Sequence, residues 1–161
     1  MLEKELSVLS EEEKKQLYIA IPQISILIAG ADGVIDKSEK TWAEKITQIR
    51  SYSFSEDLRS FYAEVSERYS DQIDELIEEL PNDVEERTKI LSERISKVEP
   101  ILKKLQFDFA CAVYKSYKSF AKHVAEVSGG FLDYGSINFD EYRLIDLPMI
   151  EFDTTNPGKH L

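Results

Sequence analysis

The length, composition and charge of this chain limit the classes of protein it can belong to. It has 161 residues, of which 42% are hydrophobic and 32% charged, which suits a single folded domain with a well-solvated surface. Twenty Lys and Arg against 31 Asp and Glu leave a formal net charge of −11. This charge argues against a nucleic-acid ligand, because phosphate binding needs a concentrated basic face, and it favours cations or a basic partner surface.

Neither a membrane span nor a disulfide is predicted. The longest apolar stretch, residues 24–31, is interrupted by Ser25 and Gly30 and is far shorter than a helix that crosses a bilayer. Cys111 is the only cysteine, so no disulfide can form within the chain. We therefore expect a cytoplasmic protein without membrane insertion.

The N-terminal part of the chain has the pattern of two helices. Ser10 and Glu13 have the spacing of a capping box at the start of the first helix. Pro22 lies within that helix and predicts a kink or a break before residues 23–29. A second helix is expected over residues 36–50.

Three further helices and a short last one follow. A third helix is predicted over residues 55–80, because its apolar residues recur every three or four positions, and residues 81–83 should end it. A fourth is predicted over residues 84–98. A fifth, long helix should run from Pro100 to a glycine pair just after residue 128, and a short last helix should start near Asn138. The fold class is therefore all-α.

An eight-residue pattern occurs twice. Residues 32–39 read Asp-Gly-Val-Ile-Asp-Lys-Ser-Glu, and residues 134–141 read Tyr-Gly-Ser-Ile-Asn-Phe-Asp-Glu. The Gly, Ile and Glu recur at the same spacing, and Asn replaces the second Asp. We expect a compact bundle of two pseudo-repeated helix–loop–helix units, with the third and fourth helices inserted between them. Residues 3–147 would form this one domain, and residues 148–161 an extended C-terminal tail.

Helix capping is one interpretation of the repeated pattern. Asp36 and Asn138 are good N-cap residues. Glu39 and Glu141 stand at the third helical position, where a glutamate can accept a hydrogen bond from the N–H of the cap residue. This interpretation accounts for most of the shared residues without any ligand.

A cation site is the competing interpretation. Asp-Gly-x-Ile-x-x-x-Glu is also the second half of an EF-hand calcium loop. If Gly33 takes the sixth loop position, the first and third positions fall on Ile28 and Gly30, which have no side-chain oxygen. The second copy has Tyr134 at the fifth position. A true EF-hand pair is therefore disfavoured, and a looser oxygen-ligand site is left as the alternative.

Three carboxylates surround each of the two turns. Oxygen ligands suit Ca²⁺ or Mg²⁺ and argue against zinc, which prefers His or Cys. Asp32 favours the ion interpretation because capping does not require it, although Asp-Gly is also an ordinary turn dipeptide. Asp140 belongs to the second cluster. The predicted metal ligands are Asp32, Asp36, Glu39, Asp133 and Glu141.

Both acidic segments resemble motifs of a known family. Residues 28–39 are similar to the first motif of the TerB-like tellurite-resistance family, which includes the DjlA N-terminal-like helical domains, in their small-small-Asp-Gly-x-Ile-x-x-x-Glu pattern. Residues 128–141 resemble its second motif, a Gly-Gly-Phe run followed by a glycine turn and a helix start. Asn138 departs from the family by replacing a carboxylate, which implies a weaker or purely structural second site.

The resemblance implies more than the residues alone do. It implies an all-helical bundle with pseudo-twofold organisation, a role in stress or metal-ion response, and divalent-cation binding. It also implies protein partners that are membrane-associated or chaperone-linked. The family has no established catalytic chemistry, and fold analogy does not decide function.

An enzyme is not expected. His123 lies within the long predicted helix and His160 in the tail, while Cys111 lies in a hydrophobic stretch. No nucleophile–base pair, phosphate loop or dinucleotide motif occurs, so no catalytic residue is predicted. The alternative function is a protein-interaction scaffold whose acidic motifs only cap helices, with Trp42 either in the core or as a contact anchor.

Overall fold

The fold is known from a computed structural model that describes residues 2–30, 56–127 and 144–155. Over these ranges the chain is helical and has no strand, which confirms the all-α prediction for them. None of the helices in these ranges is long and apolar enough to cross a membrane. The helices are α1 (Leu2–Leu6), α2 (Glu11–Ala29), α3 (Glu56–Glu79), α4 (Val84–Ser96), α5 (Val98–Leu102) and α6 (Phe107–Val127).

The predicted capping box starts α2. The Ser10 hydroxyl accepts a hydrogen bond from the Glu13 N–H at 3.2 Å, and the Glu13 carboxylate accepts one from the Ser10 N–H at 2.9 Å. Lys104 also donates to the Glu13 carboxylate, and this bond is the main reason that the pKa of Glu13 is lowered. The start of α2 is therefore tied to the turn that precedes α6.

The central helix is α2, and its second half is buried on every side. All residues from Ala20 to Ala29 are buried. The break predicted at Pro22 is wrong, because α2 continues through this residue. The proline nitrogen cannot donate to the carbonyl of Tyr18, one turn earlier. Close packing around the apolar second half keeps the helix continuous despite that missing bond.

One neighbour, α3, runs in the same direction as α2. Early in both helices, the Tyr18 ring lies 5.0 Å from the Phe61 ring. Further along, the buried Tyr69 hydroxyl donates to the Ser25 hydroxyl at 2.6 Å. Because the later residue of α2 contacts the later residue of α3, the two helices are parallel.

Helix α4 runs antiparallel to α2. The side chain of Gln16 donates to the carbonyl of Arg94, near the end of α4, at 3.2 Å. The side chain of Arg87, near the start of α4, donates to the carbonyl of Gly30 just after α2 at 2.7 Å. The first turns of α4 therefore lie beside the C-terminal end of α2.

The long helix α6 starts later than predicted. Pro100 lies within the short helix α5, and a turn separates α5 from Phe107, where α6 begins. The prediction that one helix starts at Pro100 is wrong. The side chain of Gln106 accepts a hydrogen bond from the Phe109 N–H at 3.0 Å, which caps the first turn of α6.

The predicted apolar stripes form the core. The apolar stripe predicted for the third helix has nine residues, in α3 and at the position that follows it, and eight of them are buried. The exception is Ile77, which is 41% exposed. In α6, Phe109, Val113, Tyr117 and Phe120 are buried. The core position of these stripes is therefore confirmed.

Three apolar residues of the described range 144–155 also belong to the core. Leu147, Ile150 and Phe152 are buried, although the last two were assigned to the extended tail. The Phe152 ring lies 6.4 Å from the Phe107 ring and 5.4 Å from the Tyr114 ring. Phe152 thus packs against the first half of α6.

Several sequence predictions lie outside the described residues. These are the helix over residues 36–50, the glycine pair after residue 128 and the helix start at Asn138. The pseudo-repeat of two helix–loop–helix units therefore stays a prediction. The short helix α1 was not predicted; it packs against α3.

Removing one buried hydroxyl tests how α2 and α3 are joined. We expect Tyr69→Phe to lower the free energy of unfolding by about 1–2 kcal/mol, because the Ser25 hydroxyl loses a buried partner. Urea denaturation followed by circular dichroism measures this change. Tyr114→Phe is the matched control, since that ring is only partly buried, and it should change stability by less than about 0.5 kcal/mol. An equal loss of stability in the two variants would contradict a stabilising hydrogen bond between Tyr69 and Ser25.

Candidate functional site

All five predicted metal ligands lie outside the described residues. Among the residues that are described, no group of three or more His, Cys, Asp or Glu side chains is arranged to hold a metal ion. The structure therefore leaves the predicted cation site as a prediction. These ligands are Asp32, Asp36, Glu39, Asp133 and Glu141.

The described residue nearest to the first acidic motif is Gly30, which caps the C-terminal end of α2. Its N–H is directed at the carbonyls of Ile26 and Ile28. The last turn of α2 contains no basic residue. The C-terminal end of a helix carries a partial negative charge, so this buried end needs a positive charge from elsewhere in the fold.

Arg87 of α4 supplies that charge. Its side chain is buried, with 8% of the residue exposed, and its Nη2 atom donates to the Gly30 carbonyl at 2.7 Å. The ion pairs formed within the described ranges do not include Arg87. A buried guanidinium is stable only when its charge is compensated, and here the carbonyl end of α2 contributes to that compensation.

Glycine at position 30 leaves room for this close approach. A Cβ atom there would lie 2.9 Å from Nη2 and 3.3 Å from Cζ of Arg87. The backbone of Gly30 has φ −85° and ψ 0°, which other residues also adopt. The glycine therefore serves the packing of the guanidinium and not an unusual turn.

Sequence reasoning missed Arg87, although a signal was present. Val84, Leu91 and Ile95 form the predicted apolar stripe of the fourth helix. Arg87 lies three residues after the first of them and four before the second, so it belongs to the same face. A charged residue on a buried face requires a partner, and the partner here is the end of another helix.

Within the described ranges, Cys111 and His123 do not form a nucleophile–base pair. Cys111 is buried, and burial raises the pKa of its thiol, which disfavours the reactive thiolate. His123 is an exposed residue of α6. These two residues are twelve positions apart on one helix, about 18 Å along its axis, too far for a nucleophile–base pair.

No family model, no curated protein and no solved structure matches this chain. The resemblance of residues 28–39 and 128–141 to the TerB-like family therefore stays a prediction.

A substitution at Gly30 tests the contact with Arg87. We expect Gly30→Ala to lower the free energy of unfolding by about 1–3 kcal/mol, because the added Cβ displaces the guanidinium from the Gly30 carbonyl. Urea denaturation measures the change. In an Arg87→Met background, where the guanidinium is absent, the same substitution should be nearly neutral. An equal loss of stability in both backgrounds would show that the contact does not explain the glycine.

Proposed function

We propose that this chain is a non-enzymatic, TerB-like helical protein that binds a divalent cation, Ca²⁺ or Mg²⁺, through the acidic motif of residues 32–39. Its role would be in a stress response of the tellurite-resistance type, in the cytoplasm, with a protein partner. The observation that carries the proposal is the fixed C-terminal end of α2, which Arg87 holds at Gly30 two residues before the motif.

The rigid C-terminal end of α2, from which the motif continues, favours a binding site. Residues 20–29 of α2 are buried on all sides, and the helix end is bonded to α4 through Arg87. A ligand-binding segment that starts from a rigid element loses less conformational entropy on binding than one that starts from a mobile one. The motif begins directly after such an element.

Charge balance also supports the proposal. Asp32, Asp36 and Glu39 carry three negative charges. One guanidinium and one divalent cation together carry three positive charges. The motif therefore has enough carboxylates to offset the positive charge of Arg87 as well as that of a divalent ion.

The second acidic motif follows α6. Just before α6, Lys104 pairs with Glu13 at the N-terminal end of α2. Ten residues into α6, the Tyr117 hydroxyl donates a hydrogen bond to the Leu17 carbonyl, further along α2, at 2.7 Å. These contacts favour an α6 that advances in the same direction as α2. That direction supports two motifs at one end of the bundle, of which the second, with Asp133 and Glu141, would bind more weakly.

A protein-interaction scaffold is the second candidate function, and Arg87 itself favours it. A guanidinium at the base of the motif can compensate one of its carboxylates and repels a nearby cation. The remaining acidic residues would then only cap the helix that follows. In that case the motif needs no ion.

A cation titration distinguishes the two functions. Chelator-treated protein is titrated with Ca²⁺ and with Mg²⁺ while Trp42 fluorescence and the melting temperature are followed. We expect a saturable rise in melting temperature, corresponding to about 2.7 kcal/mol of stabilisation at an ion concentration 100 times the dissociation constant. Asp32→Asn should reduce the affinity at least tenfold.

Asp71→Asn is the matched control, because Asp71 is an exposed aspartate of α3. It should leave the titration unchanged. No response at millimolar ion, or an equal loss of affinity in the two variants, would refute the cation site and leave the scaffold function.

A further inference from the structure

A solvent-exposed groove runs along α2 and α3. Two adjoining depressions of about 400 and 530 Å³ form it, and they share Tyr18 and Glu64. The first also includes residues of α1, and the second extends toward the C-terminal part of α3. The α3 side of the groove consists of Glu56, Ser60, Glu64, Arg68, Gln72 and Glu75.

The length of the groove follows from the helix that lines it. Its residues on α3 recur every three or four positions, which places them on one face of that helix. From Glu56 to Glu75 the helix rises about 28 Å. A straight groove of this length accommodates a helical segment of about 19 residues.

Apolar surface lies at the centre and at one end of the groove. Tyr18 is partly buried, and its ring packs at 5.0 Å against Phe61 of the core. Ile19 lies beside it, and Leu2 and Leu6 of α1 line the end. Leu2, Tyr18 and Ile19 are partly exposed and offer a row of apolar contacts between charged walls, whereas Leu6 is buried.

The charge of the groove is negative. Five carboxylates and three basic side chains line it, and one of the basic ones, Lys14, is already paired with Glu11 at 3.1 Å. The pKa of the Tyr18 phenol is raised to about 12, first by burial and then by the negative charges of Glu64 and Glu11. Of these causes, only the charges of Glu64 and Glu11 contribute negative potential at the centre of the groove.

We propose that this groove binds a basic, amphipathic helical segment of a partner protein. Lys and Arg of the segment would face the glutamates of the walls, and its apolar face would cover Leu2, Tyr18 and Ile19. An amphipathic helix laid in a groove is a recurrent mode of peptide recognition. The net charge of −11 attracts a basic partner from a distance. The proposal does not depend on cation binding by residues 32–39.

The test uses a defined peptide and a matched pair of variants. A fluorescently labelled 18-residue peptide of Leu and Lys at helical spacing is titrated with the full chain at about 0.15 M salt, and its anisotropy is measured. Glu64→Lys reverses a charge shared by both parts of the groove. Glu93→Lys makes the same change at an exposed position of α4 that does not line it.

We expect the wild-type chain to bind the Leu/Lys peptide and not a Leu/Glu peptide of the same spacing. Glu64→Lys should weaken binding about tenfold, and Glu93→Lys less than about twofold, because only the first charge faces the peptide. Both glutamates are exposed, so unchanged thermal melts should show that both variants fold. Equal weakening by the two variants would show unspecific charge attraction and overturn the proposal. Absence of binding, or equal binding of the Leu/Glu peptide, would also overturn it.

Discussion

The burial of the second half of α2 constrains the rest of the structure. A helix that is enclosed on every side has no water to satisfy its polar groups, so its neighbours must supply partners. The hydroxyl of Tyr69 on α3 donates to that of Ser25 at 2.6 Å, and the hydroxyl of Tyr117 on α6 donates to the Leu17 carbonyl at 2.7 Å. The neighbouring helices therefore surround α2 with partners for its polar groups as well as with apolar surface.

The same constraint explains Arg87 and Gly30. The C-terminal end of α2 is buried, has no basic residue of its own and receives a guanidinium from α4. The glycine leaves room for that guanidinium. One contact thus fixes the place from which the first acidic motif starts, and it also brings a positive charge close to it. Whether the motif holds an ion depends on how its three carboxylates balance that charge.

Negative charge has two different uses in the proposals for this protein. At the acidic motif it would be concentrated in one short segment, which suits a small divalent cation. Along the groove it is spread over about 28 Å of α3 and mixed with apolar side chains, which suits an extended basic segment. In these proposals the two sites bind different ligands, and single substitutions distinguish their effects.

The sequence determined the local features of this protein. Apolar spacing predicted α3 and the stripe of α6, and Ser10 with Glu13 predicted the start of α2, because each depends on residues within a few positions of one another. The acidic motifs were also visible in the sequence, but their ligand was not, since ion binding depends on how the carboxylate oxygens are arranged in space.

Tertiary packing decided the rest. Continuous helix through Pro22 depends on the helices that pack around the second half of α2. The role of Arg87 could not be read from its own helix, because its partner lies 57 residues away. Contacts between distant residues are set by the packing of whole elements, which periodicity within one segment does not specify.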